Sequence, residues 1–120
     1  MLIDLVLPYP PTVNTYWRRR GSTYFVSKAG ERYRRAVVLI VRQQRLKLSL
    51  SGRLAIKIIA EPPDKRRCDL DNILKAPLDA LTHAGLLMDD EQFDEINIVR
   101  GKPVSGGRLE IRITEVGVHE

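Results

Sequence analysis

The chain has 120 residues, 43% hydrophobic and 29% charged, with a formal net charge of +5, which fits one ordinary globular domain rather than a disordered or repetitive chain. One cysteine, Cys68, and two histidines exclude an internal disulfide and a Cys/His zinc centre and suit a reducing cytoplasm. No apolar run approaches the roughly 18 residues that span a bilayer, and "MLIDLVLPYPP", with Asp4, its prolines and no basic n-region, is expected not to be a signal peptide.

"LIDLVL" alternates and predicts a strand, which "PYPPTVN" ends because prolines cannot donate to a ladder. "TYWRRRGSTYFVS" predicts a hairpin with Gly21 and Ser22 in its turn. Ser27 predicts the cap of a helix running to about Lys47. Tyr33, Ala36, Val37, Ile40 and Val41 share its inner arc, and Arg32, Arg34, Arg35, Arg42 and Arg45 its outer one. "RLAIKIIAE" is a strand stopped by Pro62 and Pro63, and "DKRRC" is a loop. A second helix is predicted from Asp69 or Leu70 to His83, kinked at Pro77 and ended by Gly85. After the loop "MDDEQ", "FDEINIVRGK" and "RLEIRITEV" predict a last pair of strands turned by "PVSGG". This β, hairpin, α, β, α, β, β order predicts an α+β fold over residues 1–120, a small single domain with a mixed sheet packed by two main helices.

The charge is unevenly spread. Residues 18–50 hold ten Lys or Arg against Glu31 alone, and residues 61–95 hold ten acids against four bases. The basic half points to a polyanionic partner. In the acidic half, Asp69 and Asp71 flank Leu70 at a loop-to-helix junction, and Lys75 lies four residues beyond Asp71, with Asp79 continuing the line. Asp89 and Asp90 follow the helix. If that loop folds back, three or four carboxylates converge. At about 4 Å and an effective dielectric near 20, each like-charge pair costs on the order of 4 kcal/mol. Such a cluster persists only with protons or a cation between its members, and oxygen ligands alone select Mg²⁺ or Mn²⁺. Lys75 can steady a scissile phosphate, with Lys65, Arg66 and Arg67 on neighbouring phosphates. Each acid taken singly also reads as a cap, a helix-dipole partner or one member of a salt-bridge ladder. On that reading the chain is a non-catalytic nucleic-acid-binding module.

The stretch "DLDNILKAPLDALTHAGLLMDDEQ" resembles the signature of RusA-type Holliday junction resolvases, which are crossover junction endodeoxyribonucleases often carried by phages and prophages. "LPYPPTVNTYWRRR", "VSKAGERYR" and "GGRLEIRITE" are also similar to the family's amino-terminal, first-helix and final-strand segments. The resemblance implies a RusA-like fold and a Mg²⁺-dependent, structure-selective nuclease that resolves four-way DNA junctions by paired symmetric nicks in recombination and repair. It places the metal-binding aspartates at Asp69, Asp71 and Asp90 and the essential lysine at Lys75, with Asp89 supporting the third ligand. Cys68 stands where family members can carry an arginine, and is expected to be a small, semi-buried side chain rather than a nucleophile. The resemblance further implies a homodimer, since two like nicks need two sites related by a two-fold. Asn14, Tyr16, Arg18 and Arg19 on the hairpin and Arg32 and Arg35 on the first helix are the candidates for DNA contact, while Tyr16 and Trp17 also read as hairpin packing. Flaps, forks or RNA are alternative substrates.

Overall fold

The computed structural model describes residues 2–116. Its main sheet has the order β1-β6-β4-β5, with β1 (Leu2–Pro8), β4 (Leu54–Glu61), β5 (Phe93–Arg100) and β6 (Arg108–Glu115). A separate two-stranded hairpin pairs β2 (Trp17–Arg20) with β3 (Thr23–Val26). Period-two alternation decides which face each long strand buries. Ile3, Leu5 and Leu7 of β1, Leu109, Ile111 and Ile113 of β6, and Leu54, Ile56, Ile58 and Ala60 of β4 form one apolar face. Two helices close over it, α2 (Lys28–Gln43) with Tyr33, Val37 and Val41, and α3 (Lys75–His83) with Ala76, Leu78, Ala80 and Leu81. The architecture is α+β with a mixed sheet, in the predicted order. One turn of helix, α1 (Val13–Tyr16), precedes the hairpin. Among the described residues no helix is long and apolar enough to cross a membrane.

The last two strands do not pair with each other. β6 lies between β1 and β4, antiparallel to both, and β5 runs parallel to β4 at the sheet edge. The reason lies in their side chains. β6 alternates cleanly and can bury one face along its length, which suits a strand with a partner on each side. β5 exposes both faces, with Ile96 and Val99 in solvent, as an edge position permits. The connecting residues 101–107 step over β4, a distance of about two strand spacings, or ~10 Å.

Helix boundaries follow from caps. Ser27 accepts a bond from the Gly30 amide at 3.0 Å and starts α2 as predicted. The helix stops at Gln43, short of Lys47. Arg45 takes the left-handed conformation, φ 57°, and Leu46 N–H reaches back to the Val41 carbonyl at 2.8 Å. A left-handed arginine gives no signal in sequence. Gly85, φ 88°, ends α3 with the same pattern of bonds, as expected.

The predicted Pro77 kink takes another form. The segment divides into a 3₁₀ turn, Leu70–Ile73, and then α3, with Leu74 at the joint. Pro77 falls in the first turn of α3, where its missing N–H has no intrahelical acceptor to lose. The interruption is therefore a restart of the helix, and it puts Lys75 at the first residue of α3.

Two sequence expectations fail together at one buried contact. Tyr16 is fully buried, so it is an anchor and not a DNA-facing side chain. Its hydroxyl donates to Asp79, and burial followed by that bond pushes the phenol's pKa up. Arg34 does not lie on the solvent arc of α2. Its Nη2 meets Asp79 Oδ2 at 2.8 Å and its Nε donates to the Tyr16 hydroxyl at 3.0 Å. Asp79 thus belongs to this three-way contact rather than to Lys75. The contact ties the hairpin's root and the basic helix to α3.

Two stability outcomes follow. A Cβ on Gly30 would stand 2.8 Å from the Tyr16 carbonyl oxygen and 2.6 Å from Val26 Cγ1. Gly30→Ala, which adds about 1 kcal/mol to an unhindered helix, should here destabilise by about 1–3 kcal/mol in urea unfolding. Asp79→Ala leaves the Arg34 charge and the Tyr16 hydroxyl without their acceptor and should cost about 2–4 kcal/mol in the same measurement. Unchanged unfolding midpoints would contradict either assignment.

Candidate active site

The loop after β4 is pinned on both sides of Cys68. The Tyr9 hydroxyl donates to Cys68 Sγ at 3.8 Å, and Arg100 Nη2 donates to the Cys68 carbonyl at 2.7 Å. Burial first, then the bond to Cys68, pushes Tyr9 up to about 12. Cys68 is semi-buried. Asp69 and Asp71 follow directly, at the start of the 3₁₀ turn, which packs against β5. Asp69 stands at the N-cap of that turn, yet its side chain makes no capping bond.

The acidic loop after α3 returns to the start of that helix. Ser49 and Leu50 donate to the carbonyls of Gly85 and Leu86 at 2.8 and 3.0 Å, which fixes the loop's first half. Gln92, buried at 5% exposure, fixes the second. Its Oε1 accepts from the Met88 and Asp89 amides at 2.9 and 2.8 Å, and its Nε2 donates to the carbonyls of Leu50 and Gly52, each at 2.8 Å. Asp89 forms a capping box with Gln92, and its Oδ1 also accepts from the Glu91 amide at 3.1 Å. Asp90 therefore opens a short rigid turn, and Lys75 Nζ meets its Oδ2 at 3.0 Å.

The neighbouring acids divide by partner. Glu61 pairs with Arg108, Asp64 with Arg66, Asp79 with Arg34, and Glu91 and Asp94 with Arg53. The arginine hydrogen bonds hold the Glu61, Asp64 and Asp94 carboxyls below the usual carboxylate range. Asp69 and Asp71 are exposed, and among the described residues no ion pair or hydrogen bond engages either carboxylate. Of the three aspartates only Asp90 touches Lys75, and Asp69 and Asp71 lie exposed a few residues before it in the chain; carboxylate oxygens are the hard donors that Mg²⁺ takes. Among the described residues no group of three or more His, Cys, Asp or Glu side chains stands drawn together for a metal ion. Three unneutralised carboxylates repel, and Lys75 compensates only Asp90.

The basic candidates lie on the loop after β4, on α1 and β2, and on α2. Lys65, Arg66 and Arg67 are exposed on the pinned loop, with Arg66 held to Asp64 at 2.9 Å. Asn14, Arg18 and Arg19 are exposed on α1 and β2, and Arg32 and Arg35 on α2. Sequence reasoning passed over Gln92, although Asp89 and Gln92 carry the spacing of a capping box. It also passed over Tyr24 and Phe25, which the hairpin exposes by 65% and 40%.

Known proteins place this arrangement in a family. The model of the endodeoxyribonuclease RusA matches residues 8–114. Over 113 residues, 94% of each chain, the sequence is 60% identical to the crossover junction endodeoxyribonuclease of Enterobacteria phage HK97. It is 42% identical over 114 residues, 95% of each chain, to the crossover junction endodeoxyribonuclease of Escherichia coli strain K12. It is 41% identical over 113 residues, 94% of each chain, to that of Enterobacteria phage 82. With a match from Pro8 to Thr114 that takes in the hairpin, both helices and every candidate carboxylate, the chain belongs to the RusA family of endodeoxyribonucleases.

Proposed function

We propose that this chain is a Mg²⁺-dependent crossover junction endodeoxyribonuclease that resolves four-way DNA junctions by paired symmetric nicks, acting as a homodimer. The observation that carries the reading is the placement of Asp90 against Lys75, one residue into α3 and four beyond Asp71. Family membership and the names of the phage and bacterial relatives support the same substrate class.

Asp69, Asp71 and Asp90 are the residues to hold the ion, with Mn²⁺ as the alternative occupant. A divalent ion bound there supplies Lewis acidity and a nucleophilic water at neutral pH. Lys75 leaves its contact with Asp90 to take the negative charge of the scissile phosphate, which gains as that charge develops. Asp89 and Gln92 keep Asp90 in place while Lys75 moves. Lys65 and Arg67, exposed beside Asp69, hold flanking phosphates. Asn14, Arg18, Arg19, Arg32 and Arg35 continue that contact along the arms. One chain presents one such site, so two like nicks call for two copies about a two-fold axis.

A synthetic four-way junction incubated with and without Mg²⁺ tests the reading. Magnesium-dependent nicks at symmetric positions are expected. Binding with no nicking at any Mg²⁺ concentration would instead make the chain a non-catalytic binding module. Asp71→Asn should keep junction affinity within about threefold and lower the nicking rate by at least roughly 100-fold. Lys75→Ala should lower it by roughly 100- to 1000-fold, mainly in kcat. Full cleavage by Asp71→Asn would remove that residue from the site.

A further inference from the structure

The β2–β3 hairpin sets exposed aromatic rings beside the arginines assigned above to the DNA arms. Between Trp17 and Val26 it holds three arginines and no acid. Arg19 lies opposite Tyr24 and Trp17 opposite Val26, so Trp17, Arg19 and Tyr24 share one face. They line a concavity of about 690 Å³ with Val13, Asn14 and Arg18. Tyr24 is 65% exposed, which is unusual for a ring this large with no apolar neighbour covering it. The Arg19 guanidinium lies 5.8 Å from the Tyr24 ring centroid and is tethered by its Nε to the Gly21 carbonyl at 2.6 Å. Trp17 is braced from behind by an edge-on contact with buried Tyr16, ring centroids 5.5 Å apart.

The hairpin is also fixed relative to the site. Its root, α1, packs against both the Leu70–Ile73 turn and α3. Tyr16, the last residue of α1, is bonded to Asp79, one helical turn beyond Lys75.

We propose that this concavity is a stacking site for an unpaired nucleobase of the branched DNA, with Tyr24 as the platform and Arg18 and Arg19 on the adjoining phosphates. The proposal rests on the nuclease reading and adds a substrate contact to it. An aromatic wall with a cationic rim and no carboxylate selects a ligand that is both flat and anionic, and the DNA strand is the one at hand. A paired base keeps both its faces inside the helix stack, so only a base freed at a branch point can enter. The pocket thereby favours junctions over plain duplex.

Trp17 is the chain's sole tryptophan and lines the pocket, so its emission reports occupancy. The full-length protein is titrated, without divalent ions, with a four-way junction, an oligothymidine and a fully paired linear duplex. Emission should fall with the first two and hold with the third. Tyr24→Ala should weaken junction and oligothymidine binding by roughly tenfold, the loss of one base stack, and leave duplex binding within about twofold. Tyr24→Phe should bind like the parent, because the ring and not the hydroxyl does the stacking. Circular dichroism confirms that each variant folds. Tyr24→Ala binding the junction as tightly as the parent, or Trp17 responding equally to paired duplex, would overturn the proposal. Neither readout needs cleavage. A parent protein that never nicks junctions counts against the nuclease reading alone, whereas normal nicking and binding by Tyr24→Ala counts against the stacking site alone.

Discussion

The buried amide of Gln92 is the constraint on which the site depends. Both of its heavy atoms on the amide are saturated, two backbone N–H groups on the oxygen and two carbonyls on the nitrogen, in a setting closed to water. A buried amide with every bond satisfied admits one arrangement of its surroundings and penalises others by about 1–3 kcal/mol per broken bond. It joins residues 88–92 to residues 50–52, which lead into β4, and so sets where Asp90 begins. The ion pair of Lys75 with Asp90 adds little energy of its own, since its side chains are 47% and 25% exposed. Its geometry is a consequence of the amide and of the helix restart that makes Lys75 the first residue of α3.

From that constraint the rest of the molecule divides by task. The sheet and the inner faces of α2 and α3 supply a core that carries no chemistry. Arginines retire five of the ten acids in the 61–95 segment into ordinary ion pairs. Asp69 and Asp71 stay outside those arginine pairs, and Asp90 meets Lys75 instead. The contact among Tyr16, Arg34 and Asp79 ties the hairpin's root to the helix that opens with Lys75.

Much of this could be read from the sequence because local physics decides it. Ile3-Leu5-Leu7 and Leu109-Ile111-Ile113 declare strands by alternation. Ser27 and Gly85 declare helix ends by their capping chemistry. Apart from the end of α2 and the helix restart before Pro77, the misreadings concern partners distant in the chain. Alternation says which face of β6 is buried and nothing about which strands flank it, so its place between β1 and β4 was hidden. Arg34 sits on a polar arc by helical angle, but Asp79 comes to it from 45 residues away. Tyr16 lies in a basic aromatic run that reads either as DNA contact or as hairpin packing, and its acceptor, Asp79, comes from 63 residues away. Arg45 in a left-handed cap ends α2 early, because no glycine there announces the turn.

Asp69 and Asp71 from one loop and Asp90 from another are proposed to serve a single cation beside Lys75. Crystals of the protein soaked in Mn²⁺, with data collected at the manganese absorption edge, address that proposal most directly. An anomalous peak ligated by oxygens of Asp69, Asp71 and Asp90 is the predicted result. A manganese peak ligated elsewhere, with Asp90 still bound to Lys75 and turned from the other two aspartates, would contradict the account.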